Sequence, residues 1–363
     1  MHPLQLIVDC EGPLALNNNA FELCREFIRP EGARFFQQVS RYDLYLAAVA
    51  KESDYHPGEA LKWLLPFLKA RGLTNQQLSD YARKSLKLIP GVEAAYKFLQ
   101  TQDFPIFAIS SGYRQFAEAV GEKLGFSPKN ILCAALDLDR ISLSAAEKEE
   151  LLKLAQEITA AAEIKPPPGA ASIQDLPDPV RQAIAVCDRI LGERLPRMAS
   201  AALYREVTPL TGPEKARAVE ESLARTKLTL KDIIYVGDSL TDVQVFEAVT
   251  AAGGLSISFN GSRSAVRAAE ISVIADNAWP IALLASIFLL WGKEGVMELA
   301  DKGSEGASRY LVLPDAVIDT LMRGLKGRNF NLRSALSQDQ ESTVLESMAM
   351  RAKLLGPEMA SLA

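Results

Sequence analysis

Two aspartates, Asp238 and Asp242, stand four positions apart just after a short apolar run, in the stretch DIIYVGDSLTDVQVF. The run, residues 233–236, is typical of a parallel strand buried on both faces, and Gly237 ends it. A helix that starts next would place both carboxylates at the C-terminal edge of a sheet, where open α/β folds bind ligands. Neighbouring carboxylates repel each other, and Mg²⁺ neutralises such pairs while keeping several waters. The alternative is a capped turn with solvated acids.

A second acidic turn follows the apolar run at residues 4–8, which ends in Asp9-Cys10-Glu11-Gly12-Pro13. This pattern predicts a strand that delivers acids to a sharp turn. Because alternate residues of a strand share a face, Asp9 and Glu11 should point to the same side. The alternative is an ordinary acidic loop after a first strand.

Two further polar positions have a spacing that suits anion binding. Residues 105–109 predict a strand that ends at Ser110 and Ser111, and small residues there leave backbone N–H groups free to hold an anion. Lys215 stands in the first turn of a predicted helix, where the helix dipole disfavours a cation, and this indicates a function. The alternatives are a capping serine and a solvated lysine.

Composition excludes several classes of protein. With 363 residues, 48% hydrophobic and 23% charged, the chain is long enough for one large core and a second module. A net charge of −5 argues against a nucleic-acid partner. The 4 cysteines form no CxxC pair, which argues against zinc and disulfides, and the 2 histidines leave little basis for histidine catalysis.

The chain is expected to be cytoplasmic. Acidic residues and a Gly-Pro pair interrupt the first 13 positions, so no signal peptide is predicted. The most apolar stretch, residues 281–291, falls well short of the roughly 20 residues that span a bilayer. It is interpreted as a buried helix, and no membrane span is expected.

The pattern of elements predicts an α/β fold, with a parallel sheet interrupted by helical segments. Apolar residues at helical spacing dominate between the first two predicted strands, in a segment too long for a simple crossover connection. A second helical segment interrupts the α/β rhythm further along. The predicted units are a core of residues 1–13, 90–140 and 204–290, a helical cap of residues 14–89, a helical insertion of residues 141–203, and a C-terminal helical extension of residues 291–363.

Taken together, these positions resemble the haloacid dehalogenase superfamily, on its phosphoserine-phosphatase-like side. The four signatures of that family occur in chain order as Asp9, Ser110, Lys215, and Asp238 with Asp242. The resemblance covers roughly residues 4–13 and 90–276, and it implies a three-layer Rossmann-like core with a helical cap.

The resemblance also implies a role for each residue of the site. Asp9 would be the nucleophile that forms an aspartyl-phosphate. The Asp9 carboxylate, the Glu11 carbonyl and Asp238 would hold Mg²⁺, with Asp242 binding the ion or orienting its waters. Phosphate oxygens would be held by the residues at the second strand end and the helical lysine, namely Ser110, Ser111 and Lys215.

One position departs from the family pattern. Phosphatases of this superfamily usually carry Asp two residues after the nucleophile, as the catalytic acid and base, whereas this chain has Glu11. The extra methylene moves the carboxyl group by about 1 Å, enough to lower a rate on the order of a hundredfold if nothing corrects it. The Asp-x-Glu-Gly-Pro form also resembles proteins labelled energy-converting hydrogenase A subunit R.

The primary hypothesis is a Mg²⁺-dependent phosphomonoester hydrolase that acts on a small phosphorylated metabolite. A second hypothesis is a catalytically weak or inactive interaction protein, which docks a protein partner or a second copy through the insertion or the C-terminal helices. A third, phosphate transfer to an acceptor other than water, leaves the same signature. Intact acids and lysine favour an enzyme, while Glu11, Pro13 and the extra segments favour the interaction protein.

Overall fold

The fold is mixed α/β, with a central sheet that helices cover on both faces, as the sequence predicts. The structure is a computed structural model. It describes residues 2–51, 55–167, 169–205, 207–307, 315–335 and 339–356, with the backbone alone for residues 302–307.

Seven short strands form the sheet within the described residues. β1, β2, β4, β5 and β6 are almost entirely buried, whereas β3 is buried at alternate residues. In chain order the strands are β1 (Gln5–Asp9), β2 (Ile106–Tyr113), β3 (Ile131–Ala134), β4 (Ile233–Gly237), β5 (Leu255–Phe259), β6 (Ile271–Ala275) and β7 (Phe330–Ser334).

The strand order is β3-β2-β1-β4-β5-β6-β7, and every neighbouring pair is parallel except β6 and β7. The chain therefore moves outward in one direction from β1 and in the other direction from β4. Opposite connections open a crevice at the C-terminal ends of these two neighbours, where open α/β sheets bind ligands. Asp9 is the last residue of β1 and Asp238 follows β4, so both flank this crevice.

Helices occupy most of the remaining described chain. Two of them, the second and the eighth, continue into π-helical turns at Leu46–Ala50 and Asp188–Arg194. The α-helices are α1 (Asn19–Phe27), α2 (Gly32–Tyr45), α3 (Ala60–Ala70), α4 (Asn75–Ser85), α5 (Val92–Leu99), α6 (Arg114–Leu124), α7 (Ala145–Ala160), α8 (Asp178–Cys187), α9 (Ala202–Arg205), α10 (Pro213–Thr226), α11 (Val243–Ala251), α12 (Arg263–Ala268), α13 (Trp279–Ala307), α14 (Asp315–Leu325) and α15 (Gln340–Leu355).

The side chains of β4 alternate between the two faces of the sheet and therefore pack into two separate core layers. Ile234 and Val236 pack with α5, α6 and α13 on one face of the sheet. Ile233 and Tyr235 pack with α10, α11 and α12 on the other face. Successive side chains of a strand point to opposite faces, so one apolar run supplies both layers.

The predicted cap and the predicted insertion share one hydrophobic cluster, in which α1 to α3 pack against α7 to α9. Buried polar contacts join them as well. The amide of Gln38 donates to the carbonyl of Ala162 at 2.7 Å and accepts from the N–H of Ile164 at 3.1 Å. The two segments therefore pack as one helical layer, while the sequence-based boundaries of the domains stay a prediction.

Helix α13 carries the apolar stretch that the sequence predicts as a buried helix. Residues 279–301 are long and apolar enough to cross a membrane by length and composition, but 61% of the most apolar window is buried inside the protein. Ile281, Leu284 and Phe288 belong to the core cluster beneath the sheet. The burial confirms the interpretation as a core helix, although the helix is longer than the stretch that predicted it.

The C-terminal segment, predicted to be helical, also contains a strand. α14 and α15 lie within this segment. β7 adds to the edge of the sheet, antiparallel to β6, and the two apolar residues of its sequence, FNLRS, are too few to predict a strand. α15 then packs on α12 and β6, with the Ser347 hydroxyl donating to the Gly261 carbonyl at 2.8 Å.

A glycine on α14 makes the docking of this C-terminal segment testable. A Cβ atom at Gly324 would lie 2.1 Å from Cδ2 of the buried Trp279 ring, so Gly324→Ala should overpack the contact and lower the free energy of unfolding by about 1–3 kcal/mol. Gly192→Ala is the matched control, because its Cβ would meet nothing and should stabilise the helix by roughly 0.5–1 kcal/mol. Urea unfolding of both variants checks this, and equal stability would contradict the packing of α14 on α13.

Candidate active site

The structure brings together the acids that the sequence places far apart. One carboxylate oxygen each from Asp9, Asp238 and Asp242 lies within 4.8 Å of the others, and all three residues are buried. Asp9 ends β1, whereas Asp238 and Asp242 flank a short 3-10 turn after β4. The predicted cluster therefore forms at the crevice between the two strands.

Lys215 lies between two of these carboxylates. Its ammonium donates to Oδ2 of Asp9 at 2.5 Å and to Oδ1 of Asp242 at 2.6 Å, and the side chain is fully buried. Burial lowers the pKa of the lysine, but the charges of Asp242 and Asp9 outweigh burial and hold it above its usual value. The two acids explain how a cation is tolerated in the first turn of α10.

Both oxygens of Asp242 already accept hydrogen bonds. The Tyr235 hydroxyl donates to Oδ1 at 2.7 Å, and the N–H groups of Asp238 and Ser239 donate to Oδ2 at 3.0 Å. Burial raises the pKa of Asp242, but Lys215 and these hydrogen bonds together hold it below its usual value. Asp242 thus fixes the lysine and the turn, which is closer to an orienting role than to that of a free metal ligand.

Tyr235 was not predicted as part of the site. Its signal in the sequence is a polar ring within an otherwise aliphatic strand that ends at the acids.

The pKa values of Asp9 and Asp238 are raised, whereas that of Asp242 is lowered. Burial is the main cause that raises the pKa of Asp9, the other two aspartates add to it, and Lys215 opposes it. Burial likewise raises the pKa of Asp238, with Arg351 opposing it. These two carboxyl groups are therefore insufficiently neutralised in the protein alone.

Arg351, on α15, is a member of the site that sequence reasoning missed. Its guanidinium forms an ion pair with Oδ2 of Asp238, although the two residues are 113 positions apart. The arginine is buried, and within the described residues its Nε has no hydrogen-bond partner. A single basic residue in an amphipathic helix gives no signal in the sequence that it reaches an active site.

Two glycines permit this close approach of backbone and carboxylates. Gly12 has φ +90°, and a Cβ atom there would lie 2.3 Å from Cγ of Asp238. A Cβ atom at Gly237 would lie 2.4 Å from Cγ of Asp242. Any larger residue at either position would displace an acid of the cluster.

Glu11 faces the same cavity as Asp9 and contacts the helical layer. Its Oε1 accepts from the N–H of Asn19, at the start of α1, at 2.8 Å. Burial raises the pKa of Glu11 to about 7, and the hydrogen bond from Asn19 opposes that rise. A carboxyl group with such a pKa can exchange protons near neutral pH.

The two predicted serines differ in position. Ser111 lines the cavity, and its hydroxyl donates to the carbonyl of Leu210 at 2.6 Å. Ser110 is fully buried, and its hydroxyl accepts from the N–H of Gly112 at 3.2 Å. Of the predicted site residues, Asp9, Glu11, Ser111 and Asp238 reach the cavity, and Ser110, Lys215 and Asp242 support them from beneath.

The cavity has a volume of about 180 Å³ and lies between the acids and the helical layer. On the side of that layer, Asp43 of α2 accepts from the Tyr55 hydroxyl and from the N–H groups of Gly58 and Ala60. Burial raises the pKa of Asp43 to about 6, and those hydrogen bonds oppose the rise.

The donor set fits a hard divalent cation. Oxygen ligands and one or two carboxylates are what Mg²⁺ takes in proteins, and Asp9 and Asp238 offer them at the mouth of the cavity. Three aspartates at −3, with Lys215 and Arg351 at +2, leave one uncompensated negative charge in a buried site. Arg351 already holds Oδ2 of Asp238, so the arginine and a cation would compete for that carboxylate.

Comparison with known proteins identifies related folds. No protein-family model and no curated protein matches the chain. The structure of the gene product AF1437 from Archaeoglobus fulgidus is similar, with a TM-score of 0.77, 24% identity, and coverage of 98% of this chain and 97% of that chain. This likeness shows the fold.

Structures of phosphoserine phosphatases are also similar, at lower scores. One in the apo form has a TM-score of 0.42 and 14% identity, covering 75% of this chain and 93% of that chain. A probable phosphoserine phosphatase from Vibrio cholerae has a TM-score of 0.43 and 12% identity, covering 79% and 65%. The resemblance to hydrogenase-subunit proteins stays a prediction.

Removing Arg351 should strengthen cation binding. Because opposite charges about 4 Å apart interact by roughly 4 kcal/mol at an effective dielectric of 20, Arg351→Met should lower the Kd for Mg²⁺ or Mn²⁺ by at least about tenfold. Isothermal titration calorimetry with the metal alone measures this. Arg267→Met is the matched control, since Arg267 also holds α15, through Glu341, but does not contact the aspartates. An unchanged Kd in Arg351→Met would mean that arginine and cation do not compete.

Asp43 should make stability depend on pH. Its folded pKa of about 6 lies above the ordinary value of 3.8, so the folded state binds the proton more tightly and stability falls as pH rises from about 4 to 6. The difference of about two pKa units corresponds to about 3 kcal/mol. Urea unfolding of wild type and Asp43→Asn between pH 4 and 6.5 should show the wild type losing about that much relative to the variant. Parallel pH profiles would contradict a shifted Asp43.

Proposed function

We propose that this protein hydrolyses phosphate monoesters through an aspartyl-phosphate formed on Asp9, with a divalent cation such as Mg²⁺. The observation that carries the proposal is the pairing of the Asp9 carboxylate, open to a cavity, with a buried lysine behind it. Oδ2 of Asp9 is fixed by Lys215, which leaves Oδ1 as the attacking atom. This geometry favours one oxygen in one orientation.

In the first step, Oδ1 of Asp9 would attack phosphorus, and the bond from phosphorus to the ester oxygen would break. The departing alkoxide needs a proton, and Glu11 is the acid that lines the same cavity. Its pKa of about 7, raised by burial, leaves a protonated fraction at neutral pH. The alcohol leaves with that proton.

In the second step, Glu11, now a carboxylate, would take a proton from water, and the hydroxide oxygen would attack phosphorus. The bond from phosphorus to Oδ1 breaks, which releases phosphate and restores Asp9. Lys215, which contacts Asp9, would stabilise the negative charge of the carboxylate and the charge that develops on the transferring phosphoryl group.

The cation would supply positive charge that holds phosphate oxygens near Asp9, with Asp9 and Asp238 as its carboxylate ligands. The Glu11 carbonyl and Asp242 complete the set that the sequence suggests, and the contacts of Asp242 favour an orienting role. The N–H of Ser111 is the candidate donor to a phosphate oxygen at the cavity wall.

A second candidate function is an interaction protein with little or no turnover. The ion pair between Arg351 and Asp238 favours it, because that pair neutralises the aspartate without a cation. In such a protein α15 would serve to hold the site closed and to present its outer face, where Leu345 is exposed, to a partner. Measurement of turnover separates the two candidates.

Asp9→Asn should abolish phosphate release. Substituting the nucleophile with a neutral group of the same shape removes the attacking charge, so kcat should fall by at least about a thousandfold with p-nitrophenyl phosphate or a panel of phosphometabolites in Mg²⁺. Asp301→Asn, an exposed aspartate on α13, is the matched control and should leave the rate unchanged.

Denaturing mass spectrometry of acid-quenched wild type should find a phosphoryl group on Asp9 during turnover. Omission of Mg²⁺ should remove the activity. If no ester in the panel is hydrolysed by a wild type that binds Mg²⁺, hydrolysis is excluded for those esters and the interaction protein is favoured.

A further inference from the structure

The wall of the cavity opposite the catalytic acids is mainly apolar, with Ser40 and Asp43 as its polar residues. It is built by α2 and α3, whose side chains face the crevice from the helical layer. Phe36, Val39 and Leu64 belong to the cluster that forms the core of that layer, and Leu61 packs against it, so packing holds the wall in place. The apolar lining residues are Phe36, Val39, Leu44, Leu61 and Leu64.

Among the described residues that line the cavity, none on this wall is a lysine or an arginine. Arg351 is the one lysine or arginine in that lining, and it is paired with Asp238. The nearest charge on the apolar wall is Asp43, which would repel a second anion.

The cations of α2 and α3 next to the wall have other partners. Arg41 forms an ion pair with Glu163, and Lys62 forms one with Glu59. Arg34 donates to the carbonyl of Ala161 at 3.0 Å. Arg34 and Arg41 thus contact the helical layer itself, and the charge of Lys62, which acts on Asp43, is paired with Glu59.

We propose, on the basis of the proposed function, that this site selects phosphate monoesters of small alcohols whose organic part is uncharged and mainly apolar. An ester with a second anionic group, such as an amino-acid carboxylate or another phosphate, would place that charge against leucines, valine and Asp43. A charge transferred to such a surface without a partner is strongly disfavoured. The volume of about 180 Å³ lies below the roughly 300–1,000 Å³ of sites for drug-sized ligands, so the alcohol is small.

Three phosphonates of equal length test this selection without turnover. Propylphosphonate, 3-phosphonopropionate and 2-aminoethylphosphonate differ only in a terminal methyl, carboxylate or ammonium group. We expect the methyl compound to bind wild type at least tenfold more tightly than the carboxylate compound and more tightly than the ammonium compound, by calorimetry in Mg²⁺. Tighter binding of either charged compound overturns the proposal.

A charge added to the wall should reverse the preference. Leu44 is only half-buried, so Leu44→Arg can place a guanidinium at the cavity, and Leu44→Gln is the matched control with a polar, uncharged side chain. The arginine variant should bind 3-phosphonopropionate at least tenfold more tightly than the glutamine variant does, with little gain for propylphosphonate. Equal affinities in the two variants would contradict the assignment of this wall to the alcohol.

These experiments also distinguish failure of the substrate preference from failure of the proposed hydrolase function. If wild type hydrolyses phosphate esters but prefers those that carry a carboxylate, the selection is wrong and the hydrolase stands. If no phosphonate binds and no ester is hydrolysed, the phosphate site itself is contradicted.

Discussion

The structure depends on how three buried carboxylates are neutralised. Lys215 lies between Asp9 and Asp242, and it removes most of the repulsion that would otherwise oppose folding of the crevice. Breaking a buried ion pair on one side typically costs 3–5 kcal/mol, because the other charge is left without a partner. The positions of α10, of the turn after β4 and of the end of β1 are therefore linked through one ammonium group. This linkage also fixes which oxygen of Asp9 faces the cavity.

The close approach of the three carboxylates also restricts the course of the backbone around them. The strand order reverses between β1 and β4, so the two chain segments that carry acids end side by side at one edge of the sheet. Asp238 can approach the turn after β1 only because Gly12 lacks a side chain, and Asp242 can fold back on β4 only because Gly237 does. Topology thus brings the segments together, and the two glycines set the remaining distance. The helical layer then covers the crevice and leaves an apolar wall.

The sequence predicts those parts of the site that lie at the ends of apolar runs. Asp9 and Asp238 follow strands whose burial makes them easy to recognise, and Lys215 is conspicuous because the start of a helix disfavours a cation. Arg351 and Asp43 lie within amphipathic helices, where a charged residue usually faces solvent, and only tertiary packing turns them toward the cavity. β7 was missed for a related reason, since its alternation includes only two apolar residues, Phe330 and Leu332, within a segment predicted as helical. Residues at strand ends and at a helix start can thus be predicted to meet, even across two hundred positions, whereas charged residues within helices cannot.

The two cations of the site are not equivalent. Lys215 donates to two carboxylates within 2.6 Å and is enclosed, so it is a permanent part of the fold. Arg351 holds one carboxylate, keeps a buried Nε without a partner in the described residues, and borders the cavity. A guanidinium that is only partly satisfied gains less from its position than the lysine does, because an unpaired buried donor costs about 1–3 kcal/mol. The charge deficit of the cluster is therefore shared by Asp9 and Asp238, the two carboxylates that line the cavity.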